Sequence, residues 1–180
     1  MINAAHLHLL LNHFPIIGMA IAIFVLLIGL IKKSDDIKKT GLMILILTAF
    51  ITIPVYLSGD KAQEMIEGNY DDVDESFIEA HEDFALYSFI AMDIAGVIGL
   101  FSLFMYRKPK LLPNSFAYFM LALLLTVNGM MAYTANLGGK IHHPEIRKDK
   151  LPWESSVNQG PNDTEGKVKK EKKDKDSDDD

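Results

Sequence analysis

The stretch AHLHLLLNHFPIIGMAIAIFVLLIGLI, residues 5–31, decides the fold of this chain. Its second part, Phe14 to Ile31, is an uncharged apolar run close to the roughly 20 residues that a helix needs to cross a bilayer. Its first part carries three of the six histidines of the chain, at the entrance to that run. Pro15 disfavours helix at Phe14, so we expect a break or kink between the two parts.

Three further apolar runs predict an all-α fold. They cover about residues 41–58, 84–106 and 116–138, and none shows the period-two alternation of a membrane barrel. Together with residues 14–31 they predict an integral membrane four-helix bundle, a transmembrane domain over residues 1–145. Residues 146–180 are charged and poor in apolar residues, which predicts a disordered tail.

The loop charges predict the orientation in the membrane. Loop 32–39 holds four lysines and loop 107–115 holds three basic residues, whereas loop 59–83 has one lysine against ten acids. The positive-inside rule then places the two basic loops in the cytoplasm. Both termini and all six histidines are expected on the outer side, in a bacterial plasma membrane. The acidic loop is expected to carry short helices, the second starting near Asp74 and running into the third span.

Composition excludes several kinds of chemistry. The chain has no cysteine, which rules out disulfides, thiolate zinc sites, iron–sulfur clusters and covalently attached haem. Its formal net charge of −6 argues against nucleic-acid binding. It contains no nucleotide loop, catalytic triad or paired-carboxylate site. We therefore expect no independent catalytic activity.

Histidines from three helices are expected to meet at one face of the membrane. His81 precedes the third span, and His142 and His143 follow Gly138-Gly139, where the fourth helix is expected to end or open. Imidazole is the commonest protein ligand of transition metals and a frequent ligand of haem iron. The candidate haem ligands are His8, His13, His81 and His143, and the candidate ligands of a metal ion are His6, His13, His81 and His142.

Asp93 and Asn128 are the candidate buried polar residues, at similar depths in the third and fourth spans. One interpretation is a proton relay or the polar wall of a cofactor pocket. The other is an interhelical hydrogen bond that fixes packing, with Asn128, Thr48 and Thr52 satisfying Asp93. Small residues are expected at the helix contact faces, namely Gly18, Ala22, Gly29, Ala95, Gly96, Gly99, Ala132, Ala135 and Gly139.

The segment His8-Leu-Leu-Leu-Asn-His13-Phe14-Pro15-Ile16 resembles the N-terminal His-x4-His-Phe-Pro-Ile signature of a bacterial family of small four-helix membrane proteins, classed as a domain of unknown function. His81 matches a histidine that members carry at the start of the third helix, and Gly138-Gly139 matches a glycine pair after the fourth. The resemblance covers about residues 6–145. It implies the fold and the membrane location, and it favours His8 over His6 as the partner of His13. It implies no established activity.

The leading functional hypothesis is a small membrane protein for electron transfer or a redox accessory role. It would bind haem b non-covalently between imidazoles such as His13 and His81, within a larger membrane redox complex. A four-helix bundle suits this function because cofactors bind between its facing helices. The expected flanking side chains are Phe14, Phe84, Tyr87 and Met92.

Two alternatives stay open. In the first, the same histidines hold a metal ion together with Glu82, Asp83 or Asp60, and the protein is a metal-binding or transport accessory protein. In the second, it is a structural subunit of a larger membrane complex, with the four spans packed on partner helices.

Overall fold

A computed structural model describes residues 4–67, 75–107 and 109–142. The expected tail, residues 146–180, and His143 lie outside these residues. Six helices make up the secondary structure of the described part, so the predicted all-α class is confirmed there. They are α1 (Ala4–Leu11), α2 (Phe14–Ile31), α3 (Asp35–Leu57), α4 (Gly59–Glu67), α5 (Glu75–Met105) and α6 (Asn114–His142).

Four helices, α2, α3, α5 and α6, form a closed bundle. Each packs against two others, in the ring α2–α3–α5–α6 and back to α2. Neighbours along the chain are antiparallel, as the contacts of Gly29 with Lys38 and of Gly18 with Thr48 show for α2 and α3. All four helices are long and apolar enough to cross a membrane, as the sequence predicts from their length and composition.

The bundle turns bulky apolar side chains outward. Phe24, Phe50 and Phe104 are 63%, 70% and 67% exposed, and each lies on a different helix. Water-soluble proteins rarely expose contiguous apolar surface of this extent, because its hydration is unfavourable. The outer surface of the bundle therefore fits the hydrocarbon core of a lipid bilayer.

Small residues allow the helices to approach closely. A Cβ atom added at Gly41 would lie 2.9 Å from the main-chain nitrogen of Leu26, and one at Gly96 would lie 2.6 Å from Cβ of Ala49. Gly96 belongs to the predicted contact faces, whereas Gly41 was not among the predicted residues. On α6 the prediction was wrong in part, because Ala132 and Ala135 are exposed.

The chain breaks after α1, as the sequence predicts. Asn12 and His13 form a turn, and Pro15 occupies the first turn of α2, where its missing N–H leaves no helical hydrogen bond unmade. Helix α1 packs mainly against α3 and α4, outside the four-helix ring. His6 and His8 therefore lie on a separate helix from His13.

The opposite end of the bundle is closed by charged residues. The Lys38 side chain is buried, and its Nζ donates to the main-chain oxygen of Leu112 at 2.6 Å and to Oδ1 of Asn114 at 3.2 Å. The Leu112 N–H donates to Oδ1 of Asp35 at 2.7 Å, and Oδ2 of Asp35 lies 2.6 Å from Nζ of Lys39. The start of α3 thus holds the loop between α5 and α6 in place.

The last two long helices extend beyond the apolar runs. Helix α5 begins at Glu75, which confirms that a helix starting in the acidic loop runs into the third span. Its 31 residues make it about 46 Å long, which exceeds the hydrocarbon thickness of about 30 Å. Helix α6 continues through Gly138 and Gly139 to His142, so the expected helix end at the glycines was wrong.

Candidate functional site at the histidine end of the bundle

The histidine end is the end of the bundle where α2 and α5 start and α3 and α6 finish, with α1 and α4 packed beside it. Two histidines have rings held by defined partners there. His8 comes from α1 and His81 comes from the first turns of α5. Each ring is fixed by a main-chain carbonyl of a different helix.

His8 caps the end of α3. Its Nδ1 lies 3.0 Å from the main-chain oxygen of Val55 and 3.3 Å from Oγ of Ser58. The Ser58 hydroxyl itself donates to the Val55 oxygen at 2.8 Å. A carbonyl oxygen can only accept, so Nδ1 of His8 carries the proton in this bond. In the neutral ring the lone pair is then on Nε2.

His81 is held in the same way by α6. Its Nδ1 lies 3.0 Å from the main-chain oxygen of Thr134, which again can only accept. The ring lies against Gly138, where an added Cβ would come within 3.0 Å of Cε1 and 3.2 Å of Nδ1. The missing side chain at this position makes room for the imidazole.

The side chain of Thr134 ties α6 to α5. Its Oγ1 lies 2.9 Å from Oγ of Ser88, and it also lies within hydrogen-bond distance of the main-chain oxygens of Phe84, at 3.3 Å, and Met130, at 3.1 Å. Ser88 is almost fully buried. The residue whose carbonyl holds His81 is therefore itself held by the helix that carries His81.

The two rings have matching chemistry. Both lie at the histidine end of the bundle, one on α1 and the other on α5. In the part of the chain that the structure describes, neither Nε2 atom has a recorded hydrogen bond. A histidine that binds a metal through one nitrogen commonly donates the other N–H to a carbonyl or carboxylate, which fixes its tautomer and orientation. Both His8 and His81 have this arrangement.

The remaining histidines are placed differently. The rings of His6 and His13 are exposed. His13 is the N-cap residue of α2, with no side-chain capping bond, and within residues 4–67, 75–107 and 109–142 no hydrogen bond holds its ring. The structure thus holds the rings of His8 and His81, rather than that of His13, against main-chain carbonyls at this end of the bundle. The side chain of His142 and the whole of His143 lie outside the described part.

The expected metal site is not assembled in the described part. Among residues 4–67, 75–107 and 109–142 there is no group of three or more histidines and carboxylates positioned to hold a metal ion. The proposed carboxylate partners Asp60, Glu82 and Asp83 are exposed. The described residues do place two imidazoles, those of His8 and His81, against main-chain carbonyls at this end of the bundle.

The polar network expected around Asp93 is also not formed. Asp93 is half-buried, and no hydrogen bond or ion pair of its carboxylate is recorded within the described chain. The Thr48 hydroxyl donates to the Ile44 carbonyl and the Thr52 hydroxyl to the Thr48 carbonyl, so each bonds its own helix. The Oδ1 atom of Asn128 is buried without a partner.

The expected aromatic flank is only partly present. The ring of Phe84 packs edge-on against Tyr133, with centroids 4.7 Å apart, and against Tyr87. Met92 is instead fully buried in the core and Phe14 is exposed, so the four side chains named from the sequence do not line one surface. The sequence analysis did not identify Thr134 and Ser58. Their hydroxyl side chains, at the end of the bundle where the candidate histidine ligands were expected, are the feature of the sequence that could have indicated them.

Comparison with known proteins gives no relative. No family model, curated protein or solved structure matches the chain. The class of protein therefore follows from the fold and the site alone. In the described part it is an all-helical protein with four helices long and apolar enough to span a membrane, and with two carbonyl-anchored histidines at one end of the bundle.

Proposed function

We propose that the protein binds one b-type haem at the histidine end, which Nε2 of His8 and Nε2 of His81 would hold, and that it serves electron transfer or a redox accessory role. The observation that supports this is the pair of matching hydrogen bonds, from His8 Nδ1 to Val55 and from His81 Nδ1 to Thr134. Both bonds leave Nε2 as the donor atom in the neutral rings.

The donor set favours haem over a free metal ion. Haem iron takes four nitrogens from the porphyrin and needs at most two ligands from the protein. A protein-bound zinc ion needs three or four ligands, which the described residues do not bring together. Two imidazoles therefore suit haem b better than the metal-ion alternative.

Bound haem supplies reversible one-electron chemistry, and the protein supplies orientation and environment. The carbonyls of Val55 and Thr134 fix both ring planes and raise the electron density on the imidazoles, which strengthens them as ligands. Neighbouring apolar side chains lower the local dielectric, which tunes a redox potential. Phe84 and Tyr133, next to Thr134, are placed to contribute to this environment.

The proposed location is the outer face of a bacterial plasma membrane, where a larger membrane redox complex is the proposed partner. The lysines at the α2–α3 turn support this orientation, because basic loops stay in the cytoplasm. The exposed acids Asp60, Glu64 and Glu79 lie at the histidine end, on the opposite side of the bundle from these lysines.

The test is an absorption spectrum of the full-length protein, purified in detergent from haem-replete cells, oxidised and then reduced with dithionite. We expect a Soret band and a sharp reduced α-band. His8→Ala and His81→Ala should each lose the α-band of the two-imidazole form. His13→Ala is the matched control, because its ring is exposed, and should keep the wild-type spectrum.

Two results would overturn the proposal. A colourless wild-type protein removes haem, and metal analysis of the same sample then separates the metal-ion alternative from a structural subunit without cofactor. A coloured protein that loses its α-band in His13→Ala but not in His8→Ala would contradict the ligand assignment.

A further inference from the structure

Helix α6 contacts the His81 ring in two ways, at successive turns. The main-chain oxygen of Thr134 lies 3.0 Å from Nδ1. One turn later, Gly138 offers a surface without a side chain, where an added Cβ would lie 3.0 Å from Cε1 and 3.7 Å from Nε2. The carbonyl sets which nitrogen carries the proton, and the glycine sets how close the ring lies to α6.

The carbonyl contact selects a tautomer. A neutral imidazole carries its proton on either nitrogen, and the nitrogen without it is the ligand atom. Because a carbonyl oxygen cannot donate, the Thr134 contact stabilises the Nδ1–H form. In that form Nε2, at the far side of the ring from Thr134, holds the lone pair.

The position of this carbonyl is fixed from the α5 side. Oγ of Ser88 lies 2.9 Å from Oγ1 of Thr134, and Ser88 is 2% exposed. The Thr134 hydroxyl also reaches the main-chain oxygen of Phe84, on the same helix as His81. The hydrogen bonds of the Thr134 hydroxyl to Phe84 and Ser88, about one and two turns after His81 on α5, thus set the distance between His81 and the Thr134 carbonyl.

We infer that Thr134 and Gly138 are positioning residues for His81, which select Nε2 as its coordinating atom, and that Ser88 holds Thr134 in register for this task. The inference rests on the proposed function, in which His81 is a haem ligand. It assigns a role to two residues of α6 that are not ligands themselves. Gly138 is required there for the space it leaves beside the ring.

The experiment measures the tautomer of His81 without haem. Full-length protein with ¹⁵N-labelled histidine is reconstituted in lipid nanodiscs, and the His81 signal is assigned by its loss in His81→Gln. We expect a protonated Nδ1 and an unprotonated Nε2 at a pH where the ring is neutral. This readout reports directly which ring nitrogen the Thr134 carbonyl leaves unprotonated and so able to coordinate.

Three variants complete the test. Gly138→Val should shift His81 toward the Nε2–H tautomer, because the new side chain displaces the ring from Thr134. Gly129→Val is the matched control on the same helix, since a Cβ there meets nothing within 4 Å, and it should keep the wild-type tautomer. Thr134→Val keeps the side-chain shape but loses the bond to Ser88, and it should give a mixture of tautomers.

The outcomes are distinct from those of the haem experiment. An Nε2–H tautomer in the wild-type protein would overturn the inference, even if the protein binds haem. A wild-type tautomer in both Gly138→Val and Thr134→Val would also overturn it. A colourless protein with the expected tautomers would instead refute the proposed function and leave the positioning of the ring established. If Gly138→Val does not fold, Thr134→Val alone decides.

Discussion

The main-chain oxygen of Thr134 lies 3.0 Å from Nδ1 of His81, so a ring carried by α5 is held by α6. The same residue bonds Ser88 of α5 through its side chain at 2.9 Å. Thr134 thus links the two helices twice, once through its backbone and once through its hydroxyl. The candidate ligand site and the packing of the bundle share one residue.

The Ser88–Thr134 pair should show measurable coupling. A double-mutant cycle with Ser88→Ala and Thr134→Val should give a coupling free energy of about 0.6 kcal/mol, the average for interhelical hydrogen bonds in membranes. The measurement is reversible unfolding in mixed detergent–SDS micelles. Strictly additive effects of the two changes would show that the hydroxyl contact contributes nothing to the α5–α6 interface.

Removing the buried charge of Lys38 should lower the free energy of unfolding. Its ammonium group bonds Leu112 and Asn114 and lies 3.5 Å from Asp35, so Lys38→Met leaves three polar groups without this partner. Breaking a buried ion pair costs about 3–5 kcal/mol, and we expect a loss at the lower end because Asp35 keeps Lys39.

Lys32→Met is the control for Lys38→Met, since it removes the same charge from an exposed side chain. Its free energy of unfolding should stay within about 0.5 kcal/mol of the wild-type value. Equal losses in the two variants would show that net charge matters rather than the contacts of Lys38.

The sequence predicted the spans well because apolar length is a local property. Residues 14–31 form α2 with the same limits as the apolar run, and Pro15 marks the break after α1. The prediction failed at Gly138 and Gly139, where glycine was expected to end the helix. Packing of His81 against Gly138 gives this glycine a tertiary role that local propensity does not reveal.

The pairing of histidines could not be predicted for a related reason. On one continuous helix, His6 and His13 would share a face because they are seven residues apart, whereas the break after α1 puts them on different helices. The partners of His8 and His81 are main-chain carbonyls of Val55 and Thr134. Every residue has such a carbonyl, so composition and spacing carry no signal for this contact. The resemblance to a membrane family favoured His8 over His6, and that preference stays a prediction.

Replacement of Gly29 and of Gly129 by alanine should change the stability of the protein in opposite directions. A Cβ at Gly29 would lie 2.6 Å from the main-chain nitrogen of Lys38, so Gly29→Ala must separate α2 from α3. Such overpacking costs about 1–3 kcal/mol. Gly129→Ala meets nothing within 4 Å and should stabilise α6 by up to about 1 kcal/mol through higher helix propensity. Thermal unfolding of both variants checks the difference, and a loss in both would contradict the close approach seen at Gly29.

Asp93→Asn should leave stability nearly unchanged. No hydrogen bond or ion pair of this carboxylate is recorded within the described residues, so the change breaks no contact there. We expect a shift within about 0.5 kcal/mol in the free energy of unfolding. Asp35→Asn is the control, because its carboxylate bonds Lys39 and the Leu112 N–H, and hydrogen bonds to charged groups contribute about 1.5–3 kcal/mol each. A large loss of stability in Asp93→Asn would instead support the interpretation in which an interhelical hydrogen bond of Asp93 fixes the packing.

The orientation of the bundle can be measured directly because the chain has no native cysteine. Glu64→Cys places a thiol on exposed α4 at the histidine end, and Ser115→Cys places one on the exposed start of α6 at the opposite end. Ser115 is chosen over a lysine so that the basic loops keep their charge, which sets the orientation.

In intact spheroplasts, a membrane-impermeant maleimide should label Glu64→Cys and leave Ser115→Cys unlabelled until the membrane is permeabilised. The opposite pattern would put the histidine end in the cytoplasm, and the proposed haem would then exchange electrons on that side. Labelling of both variants in intact spheroplasts would mean that the chain inserts in two orientations, against the charge asymmetry of its loops.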